Sequence, residues 1–517
     1  MPAFPQKCNA SHAFSRILSL SLSLSLSLSL SRHRFSRTHQ MEEAVVLYPS
    51  PAIGHLISMV ELGKLLLSHR PSLSIHVLIT SQAYNAGSTT SYIASVSTAR
   101  PSIAFHHLPH LPPTGLLHHL PHHETLALEL LRLNNPNVHA ALTSISKNHI
   151  VHGLIIDFFC ASALSVAREL SIPCYYFFTS GASVLTAFLY FPTLHKLYTK
   201  SFKDLNAVLH VPGTPPLPSS DVAKPIQDRN DRAYELFLES SKNMATSAGI
   251  IINTFEKLEP RAVRAIRDGE CVPDGPTPPL YCIGPLITSG EGKKEGSGTG
   301  KSDCLTWLDS QPKGSIVFLC FGSLGVFSVE QLKEIATGLE RSGQRFLWVV
   351  RNPPHDADQK TATSAMPDPE LSSLLPEGFL ERTGERGLVV KTWAPQVEVL
   401  SHSSVGGFVT HCGWNSVLEA VCAGVPMVAW PLYAEQRQNK GLMVEEIKIA
   451  LPVNESESGL VNSEEVEKRV RELMESEEGE IIRERVKSLK EEAKAALSPG
   501  GSSSVELSNV VESWKRE

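Results

Sequence analysis

The sequence predicts an α/β protein made of two Rossmann-like halves with parallel sheets. From Met41 onward, short apolar runs typical of buried strands alternate with longer amphipathic runs typical of helices. Residues 288–302, rich in glycine, serine and lysine, interrupt this alternation and predict an exposed linker. A second strand–helix alternation follows the linker. The 517 residues are enough for two domains, each with its own core.

The first half begins with AVVLYP, which predicts a buried strand, and HLISMVELGKLLLSH, which predicts an amphipathic helix. Six further runs predict strands: SIHVLIT, SIAFHHL, HGLIIDF, PCYYFF, GIIINTF and LYCIG. Helical runs lie between several of them, as expected for a parallel sheet.

The second half begins with SIVFLCF, a predicted strand, followed by a predicted helix near 328–342. RFLWVV, GLVVKTW and VGGFVTH predict the next strands, and CGWNSVLEAVCAG predicts a helix with Gly424 as its stop signal. The charged run 463–497 predicts two amphipathic helices, and a last helix is expected near 502–515.

Composition and charge exclude several classes of protein. A formal net charge of −6 gives no electrostatic field for nucleic acid. No apolar run reaches the roughly 20 residues that a membrane-spanning helix needs. The nine cysteines lack zinc-finger spacing, and several lie in apolar runs, which favours free thiols in a reducing compartment. We therefore expect a cytoplasmic protein.

Residues 1–40 differ from the rest of the chain. They contain no Asp or Glu, and Ser and Leu alternate from Leu18 to Ser31. An acid-free, Ser- and Arg-rich segment is typical of an organelle transit peptide. The favoured alternative is a low-complexity leader outside the folded protein, because a TC dinucleotide repeat encodes Ser-Leu-Ser-Leu. The working start is then Met41.

The stretch from Trp393 to Gln436 is the most informative in the chain. Its strand VGGFVTH feeds a helix through small residues, so unpaired backbone N–H groups and the positive end of the helix dipole point at one place. That arrangement predicts a diphosphate site. His411 and Ser416 stand where they can add donors, and Glu419 lies one turn along the helix, where it can accept from ribose hydroxyls.

This stretch resembles the signature box of the plant family-1 UDP-glycosyltransferases along its whole length. The matching positions are Trp393, Gln396, His411, Gly413, Trp414, Asn415, Ser416, Glu419, Pro426, Glu435 and Gln436. The resemblance implies a UDP-sugar pocket built from these residues, with Ala394 beside Trp393 and Trp393 stacking on the uracil ring. It also implies the glycosyltransferase B (GT-B) fold, whose two Rossmann-like domains face a central cleft.

The resemblance sets the expected domains. Residues 41–287 form the acceptor domain, 288–302 the linker and 303–500 the UDP-sugar domain. Residues 501–517 form a helix that crosses back to the first domain.

The resemblance also places a catalytic pair in the first half. In PSPAIGHLISMVELGK, His55 falls on the family's catalytic-base position, where the first strand leads into the first helix. A neutral imidazole is available as a base near neutral pH. Asp157, at the end of LIID, matches the aspartate expected to orient that imidazole. The alternative for Asp157 is a plain helix cap. In FFTSG, Thr179 matches a residue that touches the donor sugar.

The donor contacts follow from the same resemblance. Ser323 in FGSLG is expected to approach the diphosphate, and Trp414, Glu435 and Gln436 to read the sugar hydroxyls. Trp414 and Gln436 resemble the residues of members that use UDP-glucose. No metal and no bound cofactor are expected, with UDP-glucose as co-substrate. Asp356 and Asp358 match the D-x-D metal-binding motif of some nucleotide-sugar enzymes, but they lie in a polar loop. The His-rich stretch 105–123 is predicted to be a loop over the acceptor rather than a metal site.

Other classes fit less well. A nicotinamide dehydrogenase needs G-x-G-x-x-G after a strand, and a serine hydrolase needs G-x-S-x-G at a strand–helix turn. Neither motif is present. One alternative is a catalytically inactive relative that only binds a ligand, but the presence of His55 and Asp157 argues against it. A second alternative is an enzyme of the same fold that uses another UDP-sugar or another small acceptor.

SMVELGK, NTFEKLEP and CVPDGPTPPLYCIGPLI resemble the subgroup that glucosylates flavonoids, chalcones and dihydrochalcones. The resemblance thus implies an inverting O-glucosyltransferase that acts on phenolic hydroxyls, as a monomer without membrane insertion.

Overall fold

A computed structural model describes residues 41–80, 89–111, 122–288, 302–354 and 368–514. The leader 1–40, most of the predicted linker, Asp356 and Asp358, and part of the His-rich stretch lie outside these ranges. The described chain forms two parallel sheets, each covered by helices on both faces. The predicted α/β class with two Rossmann-like halves is confirmed.

The first half is built on a seven-stranded sheet in the order β3-β2-β1-β4-β5-β8-β9, and all neighbouring pairs are parallel. Strands β6 and β7 form a separate two-stranded antiparallel ladder. The strands are β1 Glu42–Tyr48, β2 Ser74–Ile79, β3 Ile103–His107, β4 His149–Asp157, β5 Cys174–Phe178, β6 Val208–Leu209, β7 Leu217–Pro218, β8 Gly249–Ile252 and β9 Leu280–Cys282.

Helices cover both faces of this sheet and bury one apolar cluster on each. They are α1 Ile53–His69, α2 Thr90–Ala99, α3 His123–Leu133, α4 Asn135–Ile145, α5 Ala163–Glu169, α6 Ala182–Leu197, α7 Arg232–Met244 and α8 Pro260–Arg267. Burial of these apolar faces is the main stabilising contribution in this half.

The second half has a six-stranded parallel sheet in the order β12-β11-β10-β13-β14-β15. Its strands are β10 Ile316–Cys320, β11 Arg345–Val350, β12 Gly387–Lys391, β13 Val405–Thr410, β14 Met427–Ala429 and β15 Ala450–Pro452. Its helices are α9 Asp303–Asp309, α10 Val329–Ser342, α11 Leu371–Leu374, α12 Phe379–Thr383, α13 Gln396–Leu400, α14 Trp414–Ala423, α15 Gln436–Gly441, α16 Ser463–Glu475 and α17 Glu477–Leu497.

The last helix, α18 Ser502–Ser513, packs on the first half. Leu507, Val510 and Val511 join the apolar cluster on the α1 face of its sheet. At the two ends of the helix, Ser503 Oγ donates to the Gly284 carbonyl at 2.5 Å, and Ser513 Oγ lies 2.8 Å from Tyr175 Oη. The C-terminal helix therefore completes the core of the N-terminal half.

Strand order decides where the predicted catalytic residues meet. β4 lies between β1 and β5, with Tyr48 paired to Ile156 and Asp157 paired to Phe177. The chain leaving all three strands therefore starts at the same edge of the sheet, which is where open α/β folds place their ligands. None of the described helices is long and apolar enough to cross a membrane.

Candidate active site

The structure brings His55 and Asp157 into direct contact. His55 lies in the first turn of α1, and its Nδ1 is 2.6 Å from Asp157 Oδ2. The other carboxylate oxygen, Oδ1, accepts the backbone N–H of Phe159 at 3.0 Å. Asp157 thus caps the turn that follows β4 and also orients the imidazole. With Nδ1–H donated to the carboxylate, Nε2 is left as the acceptor that a general base needs.

The surroundings of His55 act on its basicity in opposite directions. Burial alone would lower its pKa, but the carboxylates of Asp157 and then Glu435 outweigh burial, and the pKa of His55 is raised above its ordinary value. Asp157 is fully buried, whereas 24% of the His55 side chain is exposed. His55 is therefore made more basic while part of its ring stays accessible.

Two phenylalanine rings lie against the imidazole, and two more extend the apolar wall. The rings of Phe158 and Phe159 lie 6.1 and 5.7 Å from that of His55. Phe188 of α6 and Phe237 of α7 extend this wall, at 6.1 Å from Phe158 and 6.0 Å from Phe159. Sequence reasoning did not assign these four residues. The FF pair directly after Asp157 was the available signal, but nothing local indicates that α6 and α7 contribute.

Thr179 follows β5 and reaches the same pair, with its Oγ1 3.4 Å from His55 Nδ1. Its neighbour Ser180, which sequence reasoning missed, donates to Glu435 Oε1 of the second half at 2.9 Å. The turn after β5 therefore contacts both the predicted catalytic base and a residue predicted to bind the sugar.

The predicted diphosphate site lies between β13 and α14. Gly413 is the N-cap of α14, and no side chain within the described ranges caps this helix, so its first N–H groups are left available to another acceptor. The preceding Cys412 has a φ of 66°, in the left-handed region. Asn439, another residue missed from sequence, holds this turn by donating to the Cys412 carbonyl at 3.0 Å.

His411 is enclosed between two glycines. A Cβ on Gly322 or on Gly413 would lie 2.5 or 2.4 Å from His411 Nε2. Burial lowers the pKa of His411 to about 4, so the ring is neutral at physiological pH. Its Nδ1 has no hydrogen-bond partner within the described ranges. His411 can thus offer a neutral N–H to an anion, without a positive charge.

Three residues predicted to bind the UDP-sugar, Gln396, Ser416 and Glu419, contact each other. Gln396 Nε2 donates to Ser416 Oγ at 2.8 Å and to Glu419 Oε2 at 2.6 Å. Trp393 is 49% exposed, an unusual state for an indole and one that suits a stacking surface, while Ala394 beside it is buried. Ser323 is exposed in the turn after β10.

Arg351, which sequence reasoning missed, holds the turn that carries Ser323. It donates to the backbone carbonyls of Gly322 and Ser323. Arg351 directly follows β11, the neighbour of β10 in the sheet, so strand order brings it to the turn.

Two predicted donor residues contact the first half. Trp414 is buried, and its indole N–H donates to the Asn253 carbonyl at 2.7 Å. Asn415 Nδ2 lies 3.3 Å from Ser58 Oγ of α1. Both therefore connect the two halves at the cleft.

Gln436 supports its own turn. Its side chain is buried, and Oε1 accepts the backbone N–H groups of Leu432 and Tyr433 at 2.8 and 3.0 Å. The neighbouring Glu435 is half-buried and faces Ser180 across the cleft. Whatever Gln436 offers to a sugar must come from its amide nitrogen.

Within the described ranges, no group of three or more His, Cys, Asp or Glu side chains is arranged to hold a metal ion. The described part of the His-rich stretch instead contains His106, whose Nε2 lies 2.8 Å from His76 Nδ1.

Comparison with known proteins identifies close relatives. The family model of UDP-glucoronosyl and UDP-glucosyl transferases matches residues 301–489. Phloretin 2'-O-glucosyltransferase of Malus domestica is 50% identical over 485 residues, which cover 92% of this chain and 100% of that protein. Anthocyanidin 5,3-O-glucosyltransferase of a Rosa hybrid cultivar is 49% identical over 487 residues, covering 92% and 99%.

A solved structure of similar form is that of Phytolacca americana UGT2 complexed with UDP-2fluoro-glucose and pterostilbene. It aligns with a TM-score of 0.81 at 39% identity, covering 92% of this chain and 100% of that chain.

Proposed function

Because this chain belongs to the family of UDP-glucosyl and UDP-glucuronosyl transferases and has their GT-B fold, we propose that it transfers glucose from UDP-glucose to a phenolic hydroxyl. The observation that carries this proposal is the 2.6 Å contact between His55 and Asp157. The start of α14, which no described side chain caps, is connected to the helix of His55 through Asn415 and Ser58. The names of its relatives, which act on phloretin and anthocyanidin, support flavonoids and dihydrochalcones as the acceptor class.

In the proposed reaction, His55 Nε2 takes the proton of the phenol, and the phenolate oxygen forms a bond to the anomeric carbon of glucose. The bond between that carbon and the diphosphate oxygen breaks, and UDP leaves with the electron pair. Asp157 stabilises the imidazolium that forms. The N–H groups of α14 and His411 receive the developing charge of the diphosphate.

We propose inversion at the anomeric carbon, which gives a β-glucoside from the α-linked donor. Asp157 is engaged by His55 and Phe159, and Glu435 accepts from Ser180. Within the described part of the chain we therefore assign no carboxylate as a nucleophile, which favours a single in-line displacement over a covalent glycosyl-enzyme. We also propose that no metal is needed, since the N–H groups at the start of α14 and His411 would stabilise the diphosphate instead.

A cytosolic monomer is part of the proposal. The eight cysteines within the described ranges are all free thiols, which is the state that a reducing compartment maintains.

The test is to incubate the purified protein with UDP-glucose and a panel of flavonoids, dihydrochalcones and simple phenols, with and without a strong chelator. Liquid chromatography detects the product, and proton NMR gives its anomeric configuration. We expect β-glucosides in both conditions. An α-glucoside would overturn the single-displacement mechanism, and no product with any phenol would overturn the function.

A further inference from the structure

Glu259 is a fully buried carboxylate that the reaction proposed above does not use. It precedes α8 and ends the loop that follows β8. No Lys or Arg forms an ion pair with it within the described ranges. A carboxylate in this state needs several hydrogen bonds to offset the loss of water.

Glu259 receives those hydrogen bonds at the start of α6. Oε2 accepts the backbone N–H of Ala182 at 2.8 Å and the hydroxyl of Thr254 at 2.6 Å. Oε1 accepts the backbone N–H of Ser183 at 2.8 Å. These N–H groups belong to the first turn of a 16-residue helix, where a negative charge also interacts favourably with the dipole.

The residues fixed in this way lead directly into the active site. Thr179, Ser180 and Gly181 immediately precede α6, and Thr179 and Ser180 contact His55 and Glu435. A Cβ on Gly181 would lie 2.8 Å from Glu259 Oε1 and 3.0 Å from two carbons of the Trp414 ring. The backbone at Gly181 is therefore held between the buried carboxylate and the indole of the other half.

A second contact connects the same turn to the UDP-sugar domain. Gln438 of α15 donates its Nε2–H to the Ser183 carbonyl at 2.7 Å. Ser183 is thus held by Glu259 through its N–H and by Gln438 through its carbonyl. α15 begins at Gln436, one of the predicted sugar-reading residues.

We propose that Glu259 is a positioning residue for the donor sugar. It fixes the first turn of α6, and through that turn it sets the places of Thr179, Ser180 and Glu435 around the sugar. This inference rests on the proposed function, since it presumes that UDP-glucose occupies the pocket. Its effect should fall mainly on donor binding, because its direct contacts are Ala182, Ser183 and Thr254, and the phenylalanine of α6 that faces the acceptor side, Phe188, lies more than one helical turn further along.

The test compares Glu259→Gln with wild type in steady-state kinetics, varying donor and acceptor separately. The amide keeps the size of the side chain but replaces one acceptor oxygen by an NH2 group. That group would face the N–H and hydroxyl donors that now bind the carboxylate. We expect the KM for UDP-glucose to rise at least fivefold and the KM for the acceptor to change less than twofold. Isothermal titration with UDP-glucose should show the same loss of affinity without any turnover.

Glu334→Gln is the matched control. Glu334 Oε2 accepts the Ser463 N–H at 2.6 Å, so it also fixes the first turn of a distant helix, α16, but lies away from the cleft. Its donor KM should equal that of wild type. Thr254→Val removes one of the three hydrogen bonds to Glu259 and keeps the shape of the side chain. It should raise the donor KM by a smaller factor, and it keeps the proposal testable if Glu259→Gln does not fold.

Two results would overturn the proposal: a donor KM and affinity within twofold of wild type in folded Glu259→Gln and Thr254→Val, or equal increases in donor and acceptor KM. A different result, the absence of turnover in the wild-type protein, would contradict the proposed function. In that case the titration with UDP-glucose still decides the role of Glu259.

Discussion

Asp157 raises the pKa of His55, and this has a measurable consequence for the rate. Because only neutral His55 can accept the proton of the phenol, kcat/KM should rise with pH through the raised pKa of this residue. In Asp157→Asn the carboxylate charge is gone, so the rising limb should move to lower pH while the plateau falls. The measurement is a pH–rate profile of both proteins with one phenol.

His55→Ala shows how much of the rate depends on the imidazole. It should lose about 10² to 10⁴ in rate, the usual contribution of a general base, and retain affinity for UDP. A rising limb at the same pH in wild type and Asp157→Asn would mean that Asp157 does not set the basicity of His55.

Gly413 tests the diphosphate site without disturbing the backbone. Its φ of −63° is open to alanine, but the added Cβ would lie 2.4 Å from His411 Nε2. Gly413→Ala should therefore displace the imidazole and weaken UDP binding at least tenfold in isothermal titration. Gly441→Ala is the matched control, because a Cβ there meets no atom within 4 Å. Equal UDP affinity in both variants would mean that His411 does not contact the diphosphate.

Sequence reasoning reached these residues to different degrees. His55 was placed where the first strand leads into the first helix and Asp157 at the end of another strand, and the family resemblance predicted that the two would pair. The partner of Trp414 could not be foreseen, because Asn253 lies about 160 residues away in the other half. In the sequence NTFEKLEP, Glu259 looks like an ordinary charged residue at the polar start of a helix. Its burial becomes evident only from the packing of α6 against it.

At the scale of single elements, strands β2, β3 and β4 carry an acid-sensitive group of imidazoles, those of His76, His106 and His149. The ring of His76 stacks on that of His106 and meets that of His149 edge-on, and Glu42 lies 3.6 Å from His149. Burial, and then the nearby His106 and His149, lower the pKa of His76 to about 4. His76 therefore stays neutral in the folded protein at pH values where it is protonated in the unfolded chain, whose histidines have an ordinary pKa of about 6.5.

By linkage, stability present above pH 6.5 is lost as the pH falls from 6.5 towards 4. We expect the Tm to fall across this window, with a contribution from buried His411 as well. His76→Gln should reduce the dependence of Tm on pH without removing it. Identical pH dependence in the variant and the wild type, followed by differential scanning fluorimetry, would exclude this group as a source.

Element prediction succeeded where the apolar runs are long. The six-residue runs of β11 and β13 have a clear strand pattern, and Gly424 ends α14 in the left-handed conformation, as expected. β14 and β15 were missed because they have three residues each and become strands only by pairing with β13 and with each other. The π-helical turn Leu442–Glu446 has no local sequence signal either.

At the scale of the whole molecule, the first half depends on the last helix. Truncation after residue 500 would expose the surface that buries Leu507, Val510 and Val511, at a cost of about 5 kcal/mol or more. That is comparable to the entire stability of a typical domain. We expect the truncated chain to aggregate on expression or to unfold at a much lower Tm.

Glu506→Gln provides the control for this truncation. It keeps the helix and removes only the ion pair with Arg267, which is partly exposed and so contributes little. A truncated protein as soluble and as thermally stable as Glu506→Gln would show that α18 is dispensable for the first half.

The position of α18 also affects how the chain folds during synthesis. The first half lacks this helix when its last strand leaves the ribosome, and roughly 200 further residues must be translated before Ser502 appears. At about 5 to 20 residues per second this takes about 10 to 40 s. During that time an apolar face beside α1 and β9 stays in contact with water. Nascent chains of this enzyme should therefore require a chaperone until translation ends, and rapid release should favour correct folding.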